Sequence, residues 1–106
     1  MQVSMRELRE LLSQREPDAP DAIWTVGKAY FIRTVTYHLT GRLVKVGPTE
    51  LVIEDAAWVA DSGRFMDAIK HGNLHEVEPI SGPVIVGRGS ITDACQWPHA
   101  LPQEQI

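Results

Sequence analysis

Cysteine is nearly missing from this chain: Cys95 is the only one in 106 residues. That excludes an intramolecular disulfide and any zinc site built on a cysteine pair. The sequence places no base near it, so Cys95 reads as a small buried apolar residue rather than a nucleophile. Positive charge is short as well, with 10 Lys and Arg against 14 Asp and Glu and a net charge of -4. A broad basic surface for non-specific nucleic-acid binding is therefore excluded, which leaves room only for a small site that reads a few nucleotides. No apolar run approaches the length that crosses a bilayer, and MQVSMRELRE has no signal-peptide core. These absences set the expectation of a cytoplasmic protein (in a host's cytoplasm, if the gene is viral) with no membrane partner. Internal repeats and low-complexity tracts are missing too.

What is present has the balance of a globular domain, 43% hydrophobic and 23% charged. Residues 1–106 read as one small domain with a thin core, for which self-association is a natural source of extra burial. Ser4-Met5-Arg6-Glu7 has the form of a capping box, and Met5, Leu8, Leu11 and Leu12 recur at helical spacing. The spacing predicts a helix over about Met5 to Gln14, and Pro17-Asp18-Ala19-Pro20 stops it and stiffens the connection. Residues 1–27 are thus an amino-terminal helix and linker.

From Lys28 to Val46 the chain turns to strand formers, a run too long for one flat strand and expected to bend or turn near Thr36 to Leu39. Gly41 is placed to relieve crowding where that strand passes another backbone. Gly47-Pro48-Thr49-Glu50 is the clearest turn signal, and Leu51-Val52-Ile53 resumes as strand and runs outward through Glu54-Asp55-Ala56-Ala57-Trp58. An insertion follows at 61–75: a break at Asp61-Ser62-Gly63, then a short helix from Arg64 to His71 that Gly72 ends. Glu76 to Ile80 and Val84 to Val86 are further strand segments around the turn Ser81-Gly82-Pro83. Ile91, Ala94 and Trp97 close the last strand of a barrel spanning 28–97, and 98–106 reads as a surface tail. Short strands with Gly/Pro turns indicate a small barrel or sandwich, mostly β, rather than a parallel sheet.

Two stretches carry a family resemblance. Gly41-Arg42-Leu43-Val44, a turn, and Leu51-Val52-Ile53-Glu54-Asp55-Ala56 resemble the first motif of the Sm and Sm-like (LSm) family. Val84-Ile85-Val86-Gly87-Arg88-Gly89-Ser90-Ile91 resembles the second, an aliphatic strand that leads into Arg-Gly and a further strand. The resemblance implies a strongly bent five-stranded antiparallel barrel behind an amino-terminal helix, with the short helix inserted between the third and fourth strands. It also implies a homo-oligomeric ring, hexamer or heptamer, because pairing the open strand edges between subunits satisfies their backbone groups. In the family, single-stranded RNA is held at the inner rim by the loop between the second and third strands and by the Arg-Gly loop. Carried onto this chain, those positions are Thr49 and Glu50 in the first loop and Arg88 and Gly89 in the second. The first loop departs from the family pattern: Glu50 stands where a base-reading asparagine is expected, and a carboxylate accepts but does not donate.

Other chemistry is weighed against blander roles. His71 and His75 are one turn apart, but Gly72 lies between them and ends the helix. Together with His38 and His99 they read as loop or surface histidines and not as a metal set. Glu54 and Asp55 are adjacent on a strand and should point to opposite faces, so they are expected to terminate the strand or meet Arg33 or Arg42 rather than share a ligand. Trp24, Trp58 and Trp97 could stack nucleobases, although core or interface anchoring is the commoner use. Gly87-Arg88-Gly89 lacks the following helix of a phosphate cradle. Phe65 and Met66 of the insertion are expected to pack on the barrel, with a lid or partner-binding role as the alternative. No cofactor and no catalytic residue is called for. The expectation is a non-enzymatic ring that binds single-stranded RNA through Arg88, with Gly89 allowing close approach; the alternative is a structural or protein-interaction ring without nucleic acid.

Overall fold

In the computed structural model of the protein, residues 23–106 are described. The expected helix from Met5 to Gln14 lies outside the described residues. Strand β1 (Ala29–Thr34) turns at Val35-Thr36-Tyr37 into β2 (His38–Val46), and β3 (Glu50–Asp61) follows the Gly-Pro turn. Helix α1 (Phe65–His71) leads to β4 (Glu76–Pro79), β5 (Val84–Gly87), a 3-10 turn at Arg88–Ser90 and β6 (Ile91–Gln96).

The strand-forming run from Lys28 to Val46 is therefore a hairpin. Its corner carries neither Gly nor Pro: Thr34 makes the turn locally, its N–H and hydroxyl both donating to the Tyr37 carbonyl at 2.8 and 2.7 Å. All pairings are antiparallel, in the order β4-β3-β2-β1-β6, with β5 also on β3. The sheet has six strands where five were expected. The difference has a simple geometry. Ala57 to Asp61 of β3 pair with β4, and Glu50 to Ile53 pair with β5. The two short strands lie end to end along β3, interrupted by Ile80 to Pro83, with Ile80 N–H donating to the Ala56 carbonyl at 2.7 Å.

The bend has a cause in β2 and β3. Thr40 pairs with Ala57 but Arg42 pairs with Glu54, so Gly41 faces both Asp55 and Ala56. This bulge drives Asp55 to a positive φ of 51° and curves the sheet. Gly41 is needed there because a Cβ would lie 2.8 Å from Ile53 Cδ1 and 3.1 Å from Ile53 Cβ. The crowding is with a side chain, not with another backbone as expected.

Alternation along the strands feeds two apolar clusters, one on each face. Tyr30, Ile32, Leu39, Leu43, Leu51, Ile53, Ala56 and Val86 form the first, with Trp24 packed against it. Phe31, Ala57, Val59, Ala68, Leu74, Val77 and Trp97 form the second. Burying each large aliphatic or aromatic side chain contributes about 1.5–3 kcal/mol. The insertion closes the second cluster, adding Ala68 and Leu74 to residues of the sheet. Seven residues are too few for a helix to stand alone; α1 persists because Ala68, Ile69 and the following Leu74 pack on the sheet. Asp67 in its first turn and Lys70 and His71 in its last suit the helix dipole, and Gly72 caps it at φ 72° with its N–H on the Ala68 carbonyl. The insertion thus packs on its own barrel, with Phe65 edge-on to Phe31 at 6.1 Å.

Candidate nucleic-acid interface

The four positions singled out by the sequence sit in two adjoining loops. Between β2 and β3 the turn is tight, Gly47 N–H donating to the Glu50 carbonyl at 2.8 Å. Proline at the second position presets this geometry. Thr49 and Pro48 project to solvent, and the Thr49 hydroxyl donates to the Glu50 carboxylate. On the other side, β5 ends in the 3-10 turn, closed by the Ser90 hydroxyl donating to the Gly87 carbonyl at 2.7 Å.

Arg88 joins the two. Its backbone N–H donates to the Thr49 carbonyl at 2.9 Å, and Nη1 of its guanidinium donates to the Gly47 carbonyl at 2.7 Å. Both bonds satisfy carbonyls that a two-strand turn otherwise leaves to water. Gly89 is exposed, and a Cβ on it would meet nothing within 4 Å. The structure therefore brings Arg88 against Gly47 and Thr49, keeps Glu50 beside Thr49, and leaves Gly89 on the outside of the turn.

Sequence reading missed two neighbours. Lys45 and Ile85 line a groove of ≈ 460 Å³ together with Gly47, Glu50 and Val52. Lys45 was legible as an outward position between Val44 and Val46, while Ile85 reaches the groove only through the β3–β5 pairing with Val52. The local charge is mixed, one lysine and one glutamate around the groove, with Arg88 behind.

The remaining candidates resolve elsewhere. Glu54 and Asp55 do not point to opposite faces: the bulge turns both carboxylates onto Arg42, at 3.6 Å for Glu54 and in closer contact for Asp55. Arg33 takes a different partner, Asp93, through Nε at 2.6 Å and through Nη2, and its Cζ lies 4.5 Å from the centroid of the Phe65 ring. That hydrogen-bonded guanidinium holds the Asp93 carboxyl below its usual range, and Asp93 raises Arg33 in turn. Burial pushes the Cys95 thiol up, which lowers its thiolate fraction and its value as a nucleophile. His99 Nε2 donates to the Ile69 carbonyl at 2.7 Å, and no cluster of metal-ligating side chains occurs among the described residues. Trp97 is buried against Phe31 and Trp24 packs on Tyr30. Trp58 alone is open, 40% exposed, in a groove of ≈ 360 Å³ lined also by Tyr37, Leu39, Ile80 and Val84.

The fold is Sm-like. It is similar to the crystal structure of a heptameric archaeal Sm protein, with a TM-score of 0.51 over 69% of this chain and 90% of that chain, at 17% identity. No protein-family model matches the chain, and no curated protein sequence matches it.

Proposed function

We propose that the protein is a non-enzymatic ring-forming scaffold that holds single-stranded RNA at a rim made by the β2–β3 turn and the Arg88-Gly89 turn. The observation that carries this reading is the pair of hydrogen bonds from Arg88 to the carbonyls of Gly47 and Thr49. It joins the two loops into one unit, so a strand lying across them meets a fixed surface and not two loose ones. In this reading Arg88 and Lys45 supply phosphate contacts, exposed Gly89 lets the RNA backbone approach, and Thr49 offers its hydroxyl to a base edge.

Assembly follows from the edges. Among the described residues β5 pairs only with β3 and β6 only with β1, so each keeps an outer row of N–H and C=O groups. Joining the β5 edge of one copy to the β6 edge of the next is a head-to-tail contact, and such contacts close into rings when the rotation permits. The archaeal Sm protein that shares the fold is heptameric.

A second reading, a ring that binds protein and no nucleic acid, is favoured by Glu50 at the rim and by the net charge of -4. Light scattering on the purified protein comes first: a monomer at all concentrations ends both readings. Binding of short uridine- and adenine-rich single strands at low and moderate salt then separates them. Salt-sensitive binding that Arg88→Ala abolishes supports the RNA reading, and no binding by an intact ring at micromolar protein leaves only the second.

A further inference from the structure

The edges of β4 and β5 are treated very differently, although the two strands lie end to end on β3. At β4, the outer edge is occupied: Val77 N–H donates to the Ile106 carbonyl at 3.4 Å, and Ile106 N–H donates back to the Val77 carbonyl at 3.0 Å. The segment that brings Ile106 there is anchored along its path. Trp97 Nε1 donates to the Ala100 carbonyl at 3.3 Å, Leu101 packs on the second apolar cluster, and His99 donates to the carbonyl of Ile69 in α1. A carbonyl only accepts, so Nε2 carries the proton in that bond. The His99 ring also lies over Gly72, where a Cβ would come within 2.7 Å of it.

β4 has two further features that discourage a partner strand. Glu76 and Glu78 flank Val77 and are exposed, and Pro79 offers no N–H. Charge, proline and a covering segment are three recurrent ways of blunting an edge; β4 itself carries the first two, and residues 98–106 supply the third. Pro98 and Pro102 interrupt the donors of the covering segment itself. Among the described residues β5 has none of these: Val84-Ile85-Val86-Gly87 is uncharged, and Ile85 is 72% exposed.

We propose that residues 98–106 are an edge guard that closes β4 against a second copy of this chain and so confines self-pairing on this side of the sheet to Val84–Gly87. A partner strand that pairs with β5 would otherwise continue along the collinear β4. The guard ends it at the Ile80–Pro83 interruption, which fixes register and limits growth into open stacks. The inference extends the ring reading, and its test is a difference between variants and parent, so the two fail separately.

The test compares the full chain with Ile106→Pro, which removes the donor to Val77, and with a chain lacking residues 103–106, which keeps Trp97, His99 and Leu101. Mass by light scattering and thioflavin T fluorescence are followed against concentration, with Ile106→Ala as the control that keeps both backbone bonds. Both edge variants should exceed the mass of the full chain as concentration rises, while Ile106→Ala matches it. Hydrogen exchange at the Val77 amide of the full chain is read beside this, and should be slower than in Ile106→Pro by about tenfold. Unchanged mass in both variants overturns the proposal, as does growth of Ile106→Ala. If the variants unfold, the full chain decides alone: a Val77 amide that exchanges at the rate of an unpaired edge overturns it, and a protected one supports it. A full chain that stays monomeric defeats the ring reading, yet growth of the edge variants beyond it still supports the guard.

Discussion

Arg88 Nη1 donates to the Gly47 carbonyl at 2.7 Å across a chain separation that the sheet, not the sequence, closes. The guanidinium is therefore part of the loop architecture before any ligand arrives. Arg88→Ala should cost about 1 kcal/mol of stability, the net value of such a bond. It should also quicken amide exchange at Gly47, whose N–H closes the β2–β3 turn. Arg88→Lys keeps the charge and loses the planar fork. If RNA binding is mainly phosphate attraction, Lys restores the salt dependence with a looser turn; if it needs the fixed surface, Lys binds no better than Ala. Exchange at Gly47 that is unmoved in both variants would discard the clamp.

The close approach of Gly41 to Ile53 gives a second expectation. A methyl at 41 meets Ile53 Cδ1 at 2.8 Å, a flexible end, but also Cβ at 3.1 Å, which cannot swing away. Gly41→Ala should destabilise by about 1–3 kcal/mol, as overpacking does. Ile53→Val removes Cδ1, so Gly41→Ala in that background should cost less than in the parent, a coupling that urea denaturation of the four chains measures. Strict additivity would mean that Cδ1 does not set the cost, leaving it to Ile53 Cβ or to the bulge itself.

How far the sequence could be read follows the range of each interaction. The Gly47-Pro48 turn, the Leu51-Val52-Ile53 strand and the helix that Gly72 ends are set by neighbours in the chain, and the structure has them where they were expected. The turn after Thr34 was half visible, because a threonine cap and not a Gly or Pro makes it. The bulge at Asp55 was not visible at all. It arises from the register between β2 and β3, and it reverses the argument that adjacent strand residues face apart. Arg33 and Arg42 were both open as partners for Glu54 and Asp55; Arg42 takes both, and Arg33 takes Asp93, its neighbour across the β1–β6 ladder. At the candidate site, the four positions named from the sequence lie in two adjoining turns, but Lys45 and Ile85 beside them and the Arg88–Gly47 bond that joins the turns were not legible.

Thr40 is the one buried side chain with an oxygen that has no hydrogen-bond partner among the described residues, and it is 0% exposed. It stands in register between Phe31 and Ala57, under the apolar second cluster. An unsatisfied hydroxyl costs about 1–3 kcal/mol, and valine has nearly the same shape without it. Thr40→Val should therefore stabilise the fold by on the order of 1 kcal/mol, read as a higher denaturation midpoint with no change in the slope of the transition. A lower midpoint would show that the hydroxyl has a partner after all, such as an enclosed water.

Arg33 and Asp93 set the last expectation, a dependence on acid. Asp93 is held below its usual range, first by the hydrogen bond from Arg33, so the folded carboxyl binds its proton less readily than the unfolded one. Its contribution is then present above the unfolded value, about 4, and is lost as pH falls through the lower folded value. Arg33 is raised, and its contribution holds everywhere below its already high unfolded value, so it adds no dependence near neutrality. Both side chains are well exposed, 35% and 52%, and solvent and salt screen the pair. The gap in urea midpoint between the parent and Asp93→Asn should be level from about pH 8 to about pH 5, narrow below about pH 4, and shrink in high salt. Phe65 offers an independent check, because its ring faces the same guanidinium at 4.5 Å. Phe65→Leu keeps the apolar contact and removes the cation–π attraction, so it should lower stability without altering the pH profile. A profile that moves with Phe65→Leu, or a gap that persists unchanged into acid, would take the titration away from Asp93.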